Sequence, residues 1–85
     1  MKDLLQLRDE IDSIDSQIVR LFEERMAVAD EVGRFKIDNG RKVFDKDRER
    51  QKIETVKGMA HGDFNKHGVE ELFEQLMAMS RKKQY

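Results

Sequence analysis

The chain has 85 residues, which is one domain at most, spanning 1–85, and too few to enclose a large core of its own, so self-association is expected. Charged residues are 41% of the composition, with no proline and five glycines, where an average soluble domain has roughly 25% charged residues; this is the balance of long solvated helices. The 17 Lys+Arg against 18 Asp+Glu leave a formal net charge of -1, which excludes a global field favouring nucleic acid or an anionic membrane, so any basic site must be local. The absence of cysteine excludes a disulfide framework and a thiolate metal site.

Met1-Lys2-Asp3 opens onto charges mixed with single apolar residues. No apolar run approaches a signal peptide or a membrane span, and a soluble cytoplasmic protein is the expectation. Apolar residues recur at Leu4, Leu7, Ile11, Ile14, Ile18, Leu21, Val28, Val32 and Phe35. These intervals alternate between three and four with one position, Arg25, out of type. They predict a single helix from about residue 3 to about residue 37, with Gly33 its only glycine. Such a helix is roughly 50 Å long, more than a compact globule of this size spans, and it requires a partner beyond its own chain.

Asp38-Asn39-Gly40 is a turn signal, and Asp45 reads as the N-cap of a second helix carrying Ile53, Val56 and Ala60. His61-Gly62-Asp63 ends that helix. After Asn65, Lys66, His67 and Gly68, a third helix presents Val69, Leu72, Phe73, Leu76 and Met77 on one side and runs to the C-terminus. The fold class is therefore all-α, three helices with the first about twice the length of either other.

Each inward stripe turns polar near one end. Arg25 stands between Leu21 and Val28, and Lys36, eleven residues on, points to nearly the same side. Asp45, Arg48 and Glu49 share a face of the second helix, and Ser80 and Gln84 extend the apolar line of the third. Short turns make consecutive helices antiparallel, which brings these seven residues to one level. A partly buried group of three cations and two carboxylates calls for an anionic ligand, because a buried cation lacking a counterion costs several kcal/mol. Arg8 lies seventeen residues before Arg25, roughly 25 Å along the axis, out of reach of the same ligand. Antiparallel pairing of two first helices about a two-fold axis would bring Arg8 of one copy to the Arg25 region of the other.

Taken singly, these residues have ordinary explanations. Arg25 could set helix register or snorkel, Lys36 could favour a helix C-terminus, and Asp45 could be only a cap. His61 and His67 read as solvated turn residues, and Met26, Met59 and Met77 as gap-filling apolar positions. Arg81-Lys82-Lys83 reads as a solvated cationic helix end. The predicted convergence favours a site over this sum.

Over nearly its whole length the chain resembles the all-helical chorismate mutases, in their short bacterial dimeric form. The resemblance rests on Leu4-Leu5-Gln6-Leu7-Arg8-Asp9-Glu10-Ile11-Asp12, Glu24-Arg25, Val32-Gly33-Arg34-Phe35-Lys36, Asp45-Lys46-Asp47-Arg48-Glu49-Arg50, and the pair Ser80 and Gln84. It implies an intertwined antiparallel homodimer, a six-helix bundle with two shared sites. There the dianion chorismate would rearrange to prephenate for phenylalanine and tyrosine synthesis, with no cofactor and no metal. By resemblance, Arg25 and the partner chain's Arg8 would clamp the substrate carboxylates, with Arg48 and Ser80 in the same network. Lys36 and Gln84 would donate to the ether oxygen, and Asp45 and Glu49 would address the ring hydroxyl. The alternatives are an isochorismate pyruvate lyase of the same fold, which the trio Asp45, Arg48 and Glu49 disfavours, and a non-catalytic helical dimerisation or regulatory module.

Overall fold

A computed structural model describes residues 1–84 and contains, among them, three helices and no strand: α1 (Leu4–Asp38), α2 (Lys46–Met59) and α3 (Asp63–Gln84). Tyr85, the last residue of the expected 1–85 domain, lies outside the described residues. α1 starts at a capping box: Asp3 accepts from the Gln6 backbone at 2.9 Å while the Gln6 side chain accepts from the Asp3 backbone at 2.9 Å. Two of the orphan donors at the helix start are satisfied in this way. It ends where Gly40 takes a left-handed φ of 65°, with Arg41 donating back to the Lys36 carbonyl at 2.7 Å. α2 begins at Asp45, whose carboxylate accepts from the Arg48 backbone at 3.1 Å.

The third helix starts earlier than its sequence predicts. Gly62, with φ 86°, forms the turn, and α3 opens at Asp63 and runs unbroken through His67 and Gly68. An interior glycine costs about 1 kcal/mol relative to alanine. Contacts across to α2 hold this first turn and a half: Lys66 Nζ donates to the Lys57 carbonyl at 3.0 Å, and Lys57 pairs with Glu70 at 2.6 Å. His67 is therefore a helical surface residue rather than a loop residue. With 35, 14 and 22 residues, α1 exceeds α2 by more than a factor of two but α3 by less.

α3 is the central element. Both α1 and α2 pack on it, and they do not pack on each other. Arg25 meets Ser80 and Gly33 meets Gln84, so α1 and α3 run parallel; Glu49 meets Arg81 and Lys57 meets Glu70, so α2 runs antiparallel to α3. The gap between α1 and α2, floored by α3, becomes a cleft.

The face that α1 buries within the chain is not its long apolar stripe. Met26, Ala29 and Gly33 are buried, beside the half-buried Phe22, Arg25 and Lys36. Leu21, Val28 and Phe35 stay more than half exposed, and residues 1–21 are exposed throughout. The small side chains of Ala29 and Gly33 explain the choice of face, because they let α3 come close. A Cβ built on Gly33 would stand 2.7 Å from Gln84 Cα. The internal core is small as a result: Met26, Ala29, Val56 and Met77 are its buried apolar residues. Met59, expected as a gap-filling core or shoulder residue, is exposed and outside this core. The molecule is correspondingly elongated, 56 × 25 × 15 Å.

Gly33→Ala should destabilise the fold. Overpacking typically costs about 1–3 kcal/mol, against about 1 kcal/mol of improved helix propensity, and the obstructing atom is backbone, which cannot rotate away. Thermal unfolding followed by circular dichroism measures this, and an unchanged or higher melting temperature would contradict the close approach. The Lys57–Glu70 pair gives a second expectation. The hydrogen bond from Lys57, reinforced by its charge, holds the Glu70 carboxyl below its ordinary value. The same hydrogen bond raises the Lys57 ammonium, with desolvation opposing it. The contribution of Glu70 is therefore present above the ordinary carboxylate range and is lost as pH falls through its lowered value. Glu70→Gln should lower the melting temperature at neutral pH, and the difference from wild type should close on acidification.

Candidate active site

The cleft between α1 and α2 has a volume of about 330 Å³ and is lined by Arg25, Val28, Ala29, Val32 and Lys36 of α1, Asp45, Arg48, Glu49 and Lys52 at the start of α2, and Phe73, Met77, Ser80, Arg81 and Gln84 of α3. Seven of the eight residues singled out from the sequence are in this lining. The eighth, Arg8, is not; it lies on the exposed arm of α1, about 25 Å along the axis from Arg25.

Arg25 is half-buried on the α3-facing side of α1, beside Phe22, Met26 and Ala29. Its Nη1 donates to Ser80 Oγ, and its guanidinium sits 5.9 Å from the centroid of the Phe73 ring. Ser80, itself buried, donates its hydroxyl to the Leu76 carbonyl at 2.8 Å, which orients its oxygen to accept from Arg25. A guanidinium has five N–H donors, and Ser80 is the one protein acceptor recorded for this one among the described residues. Arg25 is thus aimed by Ser80 and Phe73 with most of its donors uncommitted.

Lys36 closes the end of the cleft. Its Nζ donates to the Val43 carbonyl at 2.9 Å, which ties the last turn of α1 to the loop before α2 and leaves two ammonium protons for a ligand. Asp45 is both N-cap and wall, so the backbone geometry that begins α2 also fixes one acidic group of the cleft. Glu49, one turn on, pairs with Arg81 of α3, whose guanidinium stacks 4.6 Å from the Phe44 ring centroid. Gln84 contributes a side-chain oxygen that is buried and has no hydrogen-bond partner among the described residues. Such orphans are rare in folded proteins and need a partner. Turning the amide over puts a donor where the acceptor is, so a buried polar atom of Gln84 is left unsatisfied in either orientation.

The sequence reading missed Lys52, Arg81 and the two aromatic rings. Arg81 is a correction, because it is not part of a solvated cationic end: Lys82 and Lys83 are exposed, whereas Arg81 is held by Glu49 and Phe44. Helical phase carries the signal that separates it from its neighbours, since Phe73, Met77 and Arg81 recur every four residues along one face. Lys52 follows Glu49 by three and Arg48 by four, one turn further along the same face. With these two the cleft has five basic and two acidic side chains. Apart from Ser80 and Gln84 its remaining walls are apolar, and the arrangement suits a small anion with two or more negative groups and an apolar surface. No cluster of three metal-ligating side chains occurs among the described residues, and no described helix is long and apolar enough to cross a membrane.

Comparison with known proteins agrees with this chemistry. Residues 7–85 match the family model of chorismate mutase type II. The bifunctional chorismate mutase/prephenate dehydratase of Escherichia coli is 37% identical over 76 residues, covering 87% of this chain and 19% of the relative. The protein of the same name from Enterobacter agglomerans is 37% identical over 73 residues, covering 84% of this chain and 19% of its own length. The chain thus spans less than a fifth of the length of these relatives. The match takes in both ends of the cleft, from the α1 residues to Gln84, and the chain belongs to the chorismate mutase type II family.

Proposed function

We propose that the cleft binds chorismate and converts it to prephenate by an intramolecular Claisen rearrangement, in a cytoplasmic homodimer that serves aromatic amino acid biosynthesis. The observation that carries this reading is the gathering of Arg25, Lys36, Asp45, Arg48, Glu49, Ser80 and Gln84 around one cleft of ligand size. The reaction breaks a carbon–oxygen bond and forms a carbon–carbon bond in one concerted step. No proton, electron or covalent bond to the protein is required. What the protein supplies is a compact substrate conformer, which an extended chain of atoms in water seldom adopts, and stabilisation of negative charge growing on the ether oxygen.

The residues divide this work by their chemistry. Arg25, aimed by Ser80, offers a planar fork to a carboxylate, and Arg48 adds charge to the same network. Asp45 and Glu49 are acceptors for a ring hydroxyl. Lys36 and Gln84, at the junction of α1 and α3, are the donors for the ether oxygen. The apolar side chains of Val28, Val32 and Met77 pack the ring and exclude water, which strengthens each of these interactions.

The dimer completes the site. The arm of α1 carries Leu4, Leu7, Ile11, Ile14, Ile18 and Leu21 with nothing of its own chain on them. Burying one such side chain is worth about 1.5–3 kcal/mol. Pairing two α1 helices antiparallel, with the two-fold near residues 16 and 17, sets Arg8 of one chain at the level of Arg25 of the other and covers both stripes. That arginine supplies the second carboxylate clamp.

Purified protein should consume chorismate and release prephenate with no added metal or cofactor; absence of turnover would refute the reading. Lys36→Ala should lower kcat by roughly 10²–10³ while the protein stays folded, as expected for a preorganised donor to developing charge. A folded Lys36→Ala protein with most of its turnover would exclude that role. For the shared site, Arg8→Ala and Arg25→Ala should each be inactive, and mixing them after subunit exchange should restore activity, since one site of each heterodimer retains both arginines. A monomer with full activity in sedimentation and kinetic measurements would rule out the dimer.

A further inference from the structure

Arg81 lies one residue beyond Ser80 and three before Gln84. Its side chain is 28% exposed; Nη1 donates to Oε1 of Glu49, whose side chain is 24% exposed, and its guanidinium lies over Phe44 at 4.6 Å from the centroid. Phe44 belongs to the loop before α2, Glu49 to α2 and Arg81 to α3, so one side chain ties together three segments at the wall of the cleft.

Glu49 poses an electrostatic problem. Its carboxylate lines a cleft whose ligand carries two carboxylates, and like charges a few ångströms apart away from bulk water repel strongly. An arginine bound to one of its oxygens offsets that charge and fixes the side chain, leaving the other oxygen free to accept a hydrogen bond. The Phe44 ring, which is not part of the cleft lining, stacks on the guanidinium and helps to hold it on Glu49.

We propose that Arg81 is a positioning residue that orients and neutralises Glu49 so that a doubly anionic substrate can bind beside it, an inference that rests on the chorismate reading above. The two substrate carboxylates keep their charge throughout the rearrangement. The repulsion that Arg81 suppresses is therefore equal in the ground state and the transition state, and its loss appears in KM rather than in kcat. Lys36, which meets charge that develops only during reaction, has the opposite signature.

The test is steady-state kinetics on chorismate with Arg81→Met, Arg81→Gln and Arg81→Lys, in the wild-type and the Glu49→Gln backgrounds, each variant's fold followed by thermal melting. The two uncharged variants should raise KM about tenfold to a hundredfold, the scale of one charge-assisted hydrogen bond, with kcat within a few-fold of the parent. Arg81→Lys should recover most of the lost affinity. In the Glu49→Gln background the same substitutions should change KM only a few-fold, because the charge to be offset is gone. A role confined to bracing α3 against Phe44 would instead cost the same in both backgrounds, and that result would overturn the inference. So would a fall in kcat at unchanged KM, or a KM indifferent to charge at position 81. If the unsubstituted protein fails to turn over chorismate, the reading of the function falls, and this inference with it.

Discussion

A helix of 35 residues in a chain of 85 imposes the constraint from which the rest of the architecture follows. The remaining two helices, of 14 and 22 residues, can cover only one end of it. α3 packs on the C-terminal half of α1, where Ala29 and Gly33 allow it to approach, α2 packs on α3, and residues 1–21 are left exposed. The core inside one chain is consequently a short seam around Met26, Ala29, Val56 and Met77 rather than an enclosed globule. Hydrophobic stabilisation scales with the apolar area removed from water, and most of the apolar area of α1 is still in contact with water in the single chain. The proposed second copy would cover it, because a two-fold axis lets the same stripe bury itself.

The same packing creates the cleft. α3 is gripped from two sides, and α1 and α2 stay apart by the width of a small molecule. Polar residues that would destabilise a fully buried interior are tolerated here because the cleft is open to solvent and five of its seven charged groups have a local anchor. Ser80 and Phe73 aim Arg25, the Val43 carbonyl holds Lys36, the helix start holds Asp45, and Arg81 holds Glu49. Among the described residues, the buried side-chain oxygen of Gln84 lacks a partner, at the point where α3 presses against Gly33. An arrangement in which the orienting contacts are already made costs little reorganisation when the ligand arrives.

Particular residues show how far the chain could be read before its structure was seen. The three-and-four spacing from Leu4 to Phe35 announced α1, and Asp38-Asn39-Gly40 and Asp45 marked the turn and the cap that follow it. Seven of the eight site positions met as their phases required. The start of α3 differs from the local pattern, since the Asn65-to-Gly68 stretch reads as loop by local preference and is helical because Lys66 and Glu70 are fastened to Lys57. Arg81 differs for a similar reason: its two basic neighbours suggest a solvated run, whereas its partner Glu49 is 32 residues away.

The sequence by itself therefore determined what depends on neighbours three and four residues apart: the helices, their turns, their caps and the polarity of each face. Those properties follow from backbone hydrogen bonding and from periodicity, which are local. Tertiary structure alone decided which face of α1 is spent inside the chain, how close α3 comes at Gly33, and which cation meets which carboxylate. Those outcomes turn on side-chain volume and on distances between residues far apart in the chain, and no local pattern encodes them.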